Sequence, residues 1–521
     1  MEPLRKLPIG IQDFEDLRAS GYLYVDKTAY LYRLASMGKP YFLGRPRRFG
    51  KSLFLSTLKA YFLGKKELFE GLAVAELEKD WVEYPVFHLD LNVEAYINAD
   101  SIYSALDTNL NYLEDRWGKS EKETTHASRF MGLIRRAYEQ TGCRVVVLVD
   151  EYDKPLLGTM DNLNVNEKVR DVLKGFYGTL KSADPYLRFV MLTGVTKFSK
   201  VSVFSDLNHL MDISFDESYA GVCGISESEL VSSFQPEIKS LAEKRKLTYE
   251  AALAELKRRY DGYHFAKESE GMYNPFSLLN ALSKKDFGNH WFATGTPTFL
   301  VKMLKKVDFD IESLEDEVKI PADSIADYRV EYSNPVPILY QSGYLTIKSY
   351  NERFNSYTLC FPNEEVKYGF FRELLPVYMP KKDILGEFYV EYFIEDLLAG
   401  NVDGFMTRLR AFFAGIPYEL NSKEEKHYQT VFFLLFRLMG QFIEAEQRSA
   451  AGRADAVVVT DNSVFVFEFK LSESATAEDA LKQIDDKGYL IPYAASGKKI
   501  VKVGAEFSAT ERGLSRWVVG S

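Results

Sequence analysis

Short apolar runs alternate with helical stretches through the first third of the chain. The runs that predict strands lie at 41–43, 86–91, 145–149 and 188–193, and residues 52–62 follow the first run with helical spacing. Unbroken apolar runs of this kind are typical of strands that are buried on both faces of a parallel sheet. The pattern therefore predicts an α/β domain built on such a sheet.

The middle of the chain has a different pattern. Residues 226–258 are charged and have helical spacing, an Asn274-Pro275 turn precedes a short apolar helix at 278–282, and residues 340–349 are typical of a hairpin. We interpret this stretch as a helical lid followed by a small winged-helix-like region.

A further α/β pattern begins near residue 385. The predicted elements are a long apolar helix at 428–442, strands at 454–460 and 464–469, a helix at 476–487 and a strand at 499–504. The three patterns predict three domains, at residues 1–225, 226–384 and 385–521.

Composition and charge narrow the class of protein. A chain of 521 residues is too long for one core. The net charge of -10 argues against a protein that coats DNA with a basic surface, although it allows a local basic track or a cation among carboxylates. No apolar run approaches the ~18 residues of a membrane helix. The first residues lack the apolar segment of a signal peptide. The three cysteines are widely spaced and form no CxxC pair. We expect a cytoplasmic protein with neither disulfides nor zinc.

A basic, glycine-containing loop lies between the first predicted strand and helix, with the sequence LGRPRRFGKSL at 43–53. Backbone N–H groups in such loops bind phosphates; Lys51 is predicted to reach the outer phosphates, and the Ser52 hydroxyl to ligate Mg²⁺. The usual pattern has glycine where this chain has Arg45. A turn without any ligand is the alternative that the loop alone leaves open. The predicted nucleotide-binding residues of the loop are Arg45, Arg47, Arg48, Gly50, Lys51 and Ser52.

An acidic pair follows the strongest predicted strand, in the sequence VVVLVDEYD at 145–153. A carboxylate at the carboxyl end of a buried strand lies where α/β sheets bind ligands. We predict that Asp150 holds Mg²⁺ and that Glu151 polarises the attacking water. A solvated acidic turn is the alternative, and the presence of both motifs in this order favours an ATP site. The candidate sensors on and after the next predicted strand are Thr193, Thr196 and Lys197, and a polar loop after a core strand is the alternative for each of them.

The sequence GRADAVVVTDNSVFVFEFK at 452–470 predicts a hairpin with charged residues in an otherwise apolar strand. Because side chains two apart share a face, Glu468 and Lys470 are predicted to lie together beside Asp455 on the neighbouring strand. Two such carboxylates, with the carbonyl of Phe469, are typical ligands of Mg²⁺ or Mn²⁺, and Lys470 is predicted to orient or deprotonate a water. A Glu468–Lys470 ion pair without metal is the alternative. Accessory candidates are Glu425 with its rival Glu424, Gln483, Glu444 and Glu446.

These motifs resemble two known families. The N-terminal part resembles the AAA-ATPase-like family in YVDKT at 24–28, RPRRFGKS at 45–52, VDEYDKP at 149–155, LTGVTKFSKVSVFSDLN at 192–208, YNPFSLL at 273–279 and TGTP at 294–297. The C-terminal part resembles the PD-(D/E)XK nuclease superfamily, whose fold is that of restriction endonucleases, in GRADAVV at 452–458, FVFEFKL at 465–471 and QIDDKGY at 483–489. Ala454 stands where the nuclease pattern has proline. The basic loop with Arg45 matches the first family's own pattern.

The resemblance implies an ATP-binding, nucleic-acid-directed protein. The first hypothesis is an enzyme in which ATP binding or hydrolysis moves the lid and gates a metal-dependent nuclease. The alternative is a signalling NTPase whose C-terminal domain binds nucleic acid without cleaving it. A scaffold whose nucleotide never turns over is a third. Arg47 and Arg48 could act as arginine fingers across a subunit interface of an oligomer. Their position beside the loop favours direct contact with phosphate or a DNA backbone instead, and a solvated loop is the alternative. The residues that inherit nucleotide and Mg²⁺ roles are Lys51, Ser52, Asp150 and Glu151, and those that inherit nuclease roles are Asp455, Glu468 and Lys470.

Overall fold

A computed structural model describes most of the chain as two compact units. The first unit comprises Met1–Phe309 and Ser313–Val366, and the second comprises Asp310–Glu312 and Lys367–Ser521. The prediction of three domains, with a boundary near 225, stays a prediction. The described residues are 5–38, 40–197, 210–292, 300, 303–304, 307, 309–314, 317–325, 334–378, 386–414, 425–440, 444–446, 455–471, 475–508 and 513–520.

The first unit is built on a parallel sheet whose described strands run in the order β2-β3-β4-β1-β5. Every residue of β3 is buried. This is expected for a central strand of a parallel sheet, and helices precede and follow β3 in the sequence. The α/β fold that the apolar runs predicted is therefore confirmed. The strands are β1 (Pro40–Gly44), β2 (Val86–Asp90), β3 (Val145–Asp150), β4 (Leu187–Gly194) and β5 (Met211–Asp212).

Amphipathic helices connect these strands, and parallel neighbours require such crossovers. The helix at His126–Thr141 shows how the sequence sets the start, the buried face and the end of such a helix. Thr125 caps its first turn, and apolar residues three and four apart are buried. Gly142 ends the helix with a left-handed φ of 70°. The helices of this part are α1 (Phe14–Ala19), α2 (Thr28–Met37), α3 (Lys51–Phe62), α4 (Ala73–Leu77), α5 (Asp100–Trp117), α6 (His126–Thr141), α7 (Lys154–Gly158) and α8 (Leu163–Ser182).

A helical region follows the sheet within the first unit. Ser226 and Glu229 form a capping box at the first of its helices, and Asn274 caps the last, whose first residue is Pro275. These helices share a core with apolar residues of the N-terminal segment 7–25. Its elements are β6 (Ile225–Ser226), α9 (Glu227–Ser233), α10 (Gln235–Arg245), α11 (Tyr249–Tyr260), β7 (Met272–Tyr273) and α12 (Pro275–Lys284).

The predicted hairpin at 340–349 is wrong. Tyr340 and Gln341 end a short buried helix, and the hairpin lies further along the chain, in an antiparallel sheet of order β8-β10-β9. The reason is that residues 336–341 are buried all round, so their apolar run has no strand period. The elements are β8 (Val318–Pro321), α13 (Ala322–Ile325), α14 (Val336–Gln341), β9 (Thr346–Asn351) and β10 (Ser356–Cys360).

The second unit has a mixed sheet whose described strands run in the order β11-β12-β13-β14-β15. The pair β12–β13 is antiparallel and β13–β14 is parallel, with a helix between the parallel strands. The predicted helix–strand–strand–helix–strand order is confirmed, although the first predicted strand begins at Ala456, and β11 and β15 were not predicted. The elements are α15 (Glu364–Tyr378), which begins in the first unit, α16 (Gly386–Leu398), α17 (Val402–Ala414), α18 (Glu425–Met439), β11 (Glu444–Glu446), β12 (Ala456–Val459), β13 (Ser463–Leu471), α19 (Ala477–Asp486), β14 (Lys499–Ser508) and β15 (Gly513–Gly520).

Among the described residues, no helix combines the length and the apolar character needed to cross a bilayer.

Candidate functional sites

The loop between β1 and α3 turns sharply before the helix. Arg48 and Gly50 both adopt left-handed backbone conformations, with φ of 69° and 90°. Gly50 tolerates this conformation at no steric cost, whereas for Arg48 it is strained. Gly50 is also the N-cap, and no described side chain accepts from the first N–H groups of α3. Such N–H groups at a helix start can bind an anion, and the predicted phosphate binding by this loop stays a prediction.

Lys51 lies inside the loop with only 7% of its surface exposed. Its Nζ donates to the main-chain carbonyls of Arg45 (2.9 Å) and Pro46 (3.0 Å). Burial lowers the pKa of Lys51, while the nearby carboxylates of Asp150 and Glu151 oppose that shift. The loop thus brings the lysine near the acidic end of β3, and its predicted contact with the outer phosphates stays a prediction.

Arg45 is placed differently from the prediction. Its guanidinium is 1% exposed and donates to the main-chain carbonyls of Gly44 (2.9 Å), Ser214 (2.8 Å) and Tyr219 (3.0 Å). It also lies over the ring of Phe265, 4.2 Å from the centroid. These contacts hold the side chain in the wall of a separate small cavity. Arg45 therefore stabilises the loop through main-chain carbonyls, whereas the sequence predicted a contact with phosphate.

The acidic end of β3 is held by a neighbouring strand. The hydroxyl of Thr193, on β4, donates to Oδ1 of Asp150 (2.7 Å), and the main-chain N–H of Glu151 donates to the same oxygen (3.0 Å). Glu151 has a left-handed φ of 49°. Burial raises the pKa of Glu151, and Lys154, whose Nζ lies 3.7 Å from its carboxylate, lowers it. Asp150, Glu151 and Thr193 are therefore brought together as predicted.

Asp153 was not singled out by the sequence, although it holds the loop after β4. Its Oδ2 accepts from the main-chain N–H groups of Val195 (2.9 Å) and Thr196 (2.6 Å) and from the Thr196 hydroxyl (2.7 Å). Lys197 forms an ion pair with Asp212. Thr196 and Lys197, predicted as candidate sensors, thus have partners within the protein.

A cavity of about 470 Å³ opens at this loop, within the range of small-molecule sites. Its polar and charged lining residues include Arg47, Arg48, Lys51, Ser52 and Glu151. The remaining wall contains apolar residues of the N-terminal segment and of the helical region, among them Pro8, Ile11, Leu23, Val25, Phe234, Phe276 and Leu279. The lining therefore combines cationic groups with apolar side chains.

The second site lies on β13 and the residue before β12. Oδ2 of Asp455 accepts the main-chain N–H of Phe469 (2.8 Å), which places Asp455 beside Glu468. Glu468 is 2% exposed, and its Oε1 accepts from Nζ of Lys470 (3.0 Å) and from the amide of Gln483. Four residues that the sequence predicted are therefore together: Asp455, Glu468, Lys470 and Gln483.

The carboxylate of Glu468 is only half satisfied. Its Oε2 is buried and has no hydrogen-bond partner among the described residues. Burial, followed by the negative charge of Asp455, raises the pKa of Glu468, and Lys470 lowers it. A buried anionic oxygen without a donor is unfavourable, and a hard cation is the ligand such an oxygen accepts. The site therefore fits a divalent cation. Among the described residues, no group of three or more His, Cys, Asp or Glu could hold a metal, so this pair would need main-chain and water ligands.

Close packing of α19 on the sheet brings Gln483 to the site. Gly504 lies opposite Glu468 in the parallel pair β13–β14, and a Cβ there would come within 2.1 Å of the carbonyl oxygen of Ala477. Glu506 accepts the main-chain N–H of Ala477 (2.7 Å) at the start of the same helix. The sequence analysis missed Gly504 and Glu506, because only the register of β14 shows that they face the helix.

The structure does not test the other accessory candidates. Glu425 begins α18 and Glu444 and Glu446 belong to β11, but their side chains lie outside the described residues, as does all of Glu424. Their predicted roles stay predictions.

Comparison with known proteins agrees with this division of sites. Residues 8–204 match the family model for predicted AAA-ATPases of the AAA-ATPase-like type, and residues 423–517 match that of the PD-(D/E)XK nuclease superfamily. An uncharacterised protein of the vnfD 5′ region of Azotobacter chroococcum mcd 1 is 38% identical over 531 residues, which cover 99% of both chains. The Aeropyrum pernix ORC2 protein, solved in ADPNP and ADP complexes, aligns with 12% identity and a TM-score of 0.24 over 70% of this chain and 92% of its own; that likeness is too low to carry an argument. The chain belongs to the family of proteins that join an AAA-ATPase-like domain to a PD-(D/E)XK nuclease superfamily domain.

Proposed function

We propose that the protein binds and hydrolyses ATP in the cavity of the first unit and cleaves nucleic acid with a divalent cation at Asp455 and Glu468. The observation that carries the nuclease proposal is the buried, unpartnered Oε2 of Glu468 beside a second carboxylate and a lysine. Its chemistry is that of a cation site, whereas a plain ion pair with Lys470 leaves that oxygen unsatisfied.

In the proposed nucleotide site, the residues that line the loop and the acidic strand end have separate tasks. The N–H groups at the start of α3 and the ammonium of Lys51 bind the phosphates. Ser52 and Asp150 hold the Mg²⁺ that accompanies the nucleotide, and Thr193 fixes the orientation of the Asp150 carboxylate. Glu151 accepts a proton from the attacking water, and its raised pKa brings it closer to the range in which a general base works.

In the nuclease site, Asp455, Glu468 and the carbonyl of Phe469 hold the cation. When bound, the cation stabilises negative charge on the phosphodiester. Lys470 lies next to the carboxylate and positions the water that attacks phosphorus. Gln483 restrains the Glu468 carboxylate from the side of α19, so that its second oxygen stays directed to the cation.

The test is a matrix of degradation assays on duplex and single-stranded DNA and RNA. Each is run with Mg²⁺ or Mn²⁺, with and without ATP, on the parent protein, Lys51→Ala and Glu468→Ala. The matched control is Asp461→Asn, an exposed carboxylate in the turn of the same hairpin. We expect cation-dependent cleavage that is lost in Glu468→Ala and kept in the control. Equal cleavage by Glu468→Ala would refute the assignment, and nucleotide and nucleic-acid binding without any cleavage would favour the signalling alternative.

A further inference from the structure

Arg48 is held at the nucleotide cavity by weak contacts. Its guanidinium lies over the ring of Phe276, 4.0 Å from the centroid, and Nη1 donates to the main-chain carbonyls of His290 (3.4 Å) and Trp291 (3.3 Å). Hydrogen bonds of this length are weaker than usual. Because Arg48 also lines the cavity, an anionic ligand there competes with these carbonyls for its guanidinium.

The same two residues are held from the other side by a buried carboxylate. Oε1 of Glu365, near the start of α15, accepts the main-chain N–H of Trp291 (2.8 Å) and that of His290. Glu365 is 3% exposed. Residues 290–291 are therefore clamped between Arg48, through their carbonyls, and Glu365, through their amides.

Glu365 is the group of this cluster that titrates near neutrality. Burial raises the pKa of Glu365 to about 7, while the two amides and the charge of Arg48 lower it. Burial lowers the pKa of His290 to about 4, so that imidazole is neutral at pH 6–8. Burial also raises the pKa of two nearby tyrosines, which therefore stay neutral. The groups that face Glu365 are Arg48 from the loop, His290, Tyr260 from α11, Tyr263 after that helix, and the hydroxyl of Ser277 from α12.

We propose that Glu365 is a positioning residue of the nucleotide site, which controls how available Arg48 is to the phosphates of a bound nucleotide. An ionised Glu365 makes charge-assisted bonds to the two amides and attracts the guanidinium towards their carbonyls. A neutral Glu365 leaves Arg48 free to move to the phosphates. Nucleotide affinity is therefore lower when Glu365 is ionised. This inference rests on the proposed nucleotide binding.

The experiment measures the dissociation constant of a non-hydrolysable ATP analogue with Mg²⁺, at pH 6 and pH 8. The variants are Glu365→Gln, which keeps an acceptor oxygen without the charge, Arg48→Met and the double variant. The control is Glu364→Gln, a neighbouring carboxylate paired with Arg258 at the surface. We expect Glu365→Gln to bind several-fold more tightly than the parent at pH 8 and equally at pH 6, with no such difference in the Arg48→Met background or in the control.

Two results would overturn the inference. One is a Glu365→Gln effect that has the same size at both pH values, and the other is an effect that survives in the Arg48→Met background; either assigns Glu365 a structural role. Failure of the parent to bind the analogue refutes the proposed function itself, and the inference with it. As a second measurement, the unfolding temperature of the parent falls relative to Glu365→Gln between pH 5 and 8, because a group whose pKa is raised on folding loses its stabilising proton as pH rises.

Discussion

Replacing Glu468 with glutamine tests the cation site through stability rather than activity. Glutamine has the same shape and keeps an acceptor for Lys470 and for Gln483, but it removes a negative charge that is buried beside Asp455. Two effects compete, because the change also removes an ion pair with Lys470. The raised pKa of Glu468 shows that burial and repulsion outweigh that pair, so the charge is a net cost to the folded protein without metal.

The size of the effect follows from the charge on the unsatisfied oxygen, because glutamine replaces the carboxylate with a neutral amide. Leaving a buried polar atom without a partner costs about 1–3 kcal/mol, which corresponds to several degrees in the unfolding temperature of a domain. A group with a raised folded pKa contributes stability that is present below its unfolded pKa of about 4.3 and is lost as pH rises. The advantage of Glu468→Gln over the parent is therefore small at pH 4 and reaches its full size at pH 8.

The assay is thermal unfolding of the full chain at pH 4, 6 and 8, with chelator or with Mn²⁺. At pH 8 in chelator we expect Glu468→Gln to unfold at the higher temperature. Mn²⁺ at about 100 times its dissociation constant stabilises a protein with a site by ~2.7 kcal/mol, so added Mn²⁺ cancels most or all of the advantage of Glu468→Gln over the parent. A variant that is less stable than the parent in chelator at pH 8, or one that gains as much from Mn²⁺, would refute the reasoning.

Three further predictions concern single residues. Lys51→Ala should weaken nucleotide binding by roughly 10- to 150-fold, the equivalent of a charge-assisted hydrogen bond of ~1.5–3 kcal/mol; calorimetric titration with ATP checks this, and unchanged affinity would contradict it. Glu151→Gln should bind ATP with affinity close to that of the parent but hydrolyse it about 10²–10⁴-fold more slowly, as measured in single-turnover assays, and an equal rate would remove Glu151 from the role of base. Gly504→Ala should destabilise the second unit by ~1–3 kcal/mol, because the new methyl group collides with the backbone of α19 at Ala477; unaltered chemical denaturation would show that the helix shifts freely.

Much of the nuclease-type site was predictable because its parts are close along the chain. Glu468 and Lys470 are two apart on one strand, and the strand period alone places them on one face. Asp455 joins them through a short hairpin whose turn is visible in the sequence. Gln483 follows on the next helix. Spacing along the chain was therefore enough to predict that these four residues lie together. In the structure, hydrogen bonds connect Asp455 to the main chain of Phe469 and connect Glu468 to Lys470 and Gln483.

The basic loop shows where such reasoning ends. Arg45, Arg47 and Arg48 look equivalent in the sequence, since each is a cation near Gly50. The structure separates them: Arg45 is enclosed by carbonyls, Arg47 is exposed at the cavity, and Arg48 is held through residues 290–291. The backbone direction at each position of the loop decides where each side chain points, and arginines at positions 45, 47 and 48 have no regular spacing that would predict it.

The sequence by itself determined the main strands and helices of the two α/β parts, the glycine-containing basic loop, the acidic strand end and the carboxylate pair with its lysine. Each of these depends on residues that are neighbours along the chain, where backbone geometry fixes which side chains meet. Only the tertiary structure decided which partners come from distant segments, such as Glu365 behind Arg48 and Gly504 opposite Glu468. Burial and the pKa values of these groups depend on the same distant packing, because desolvation is a property of everything that surrounds a charge and not of its position in the chain.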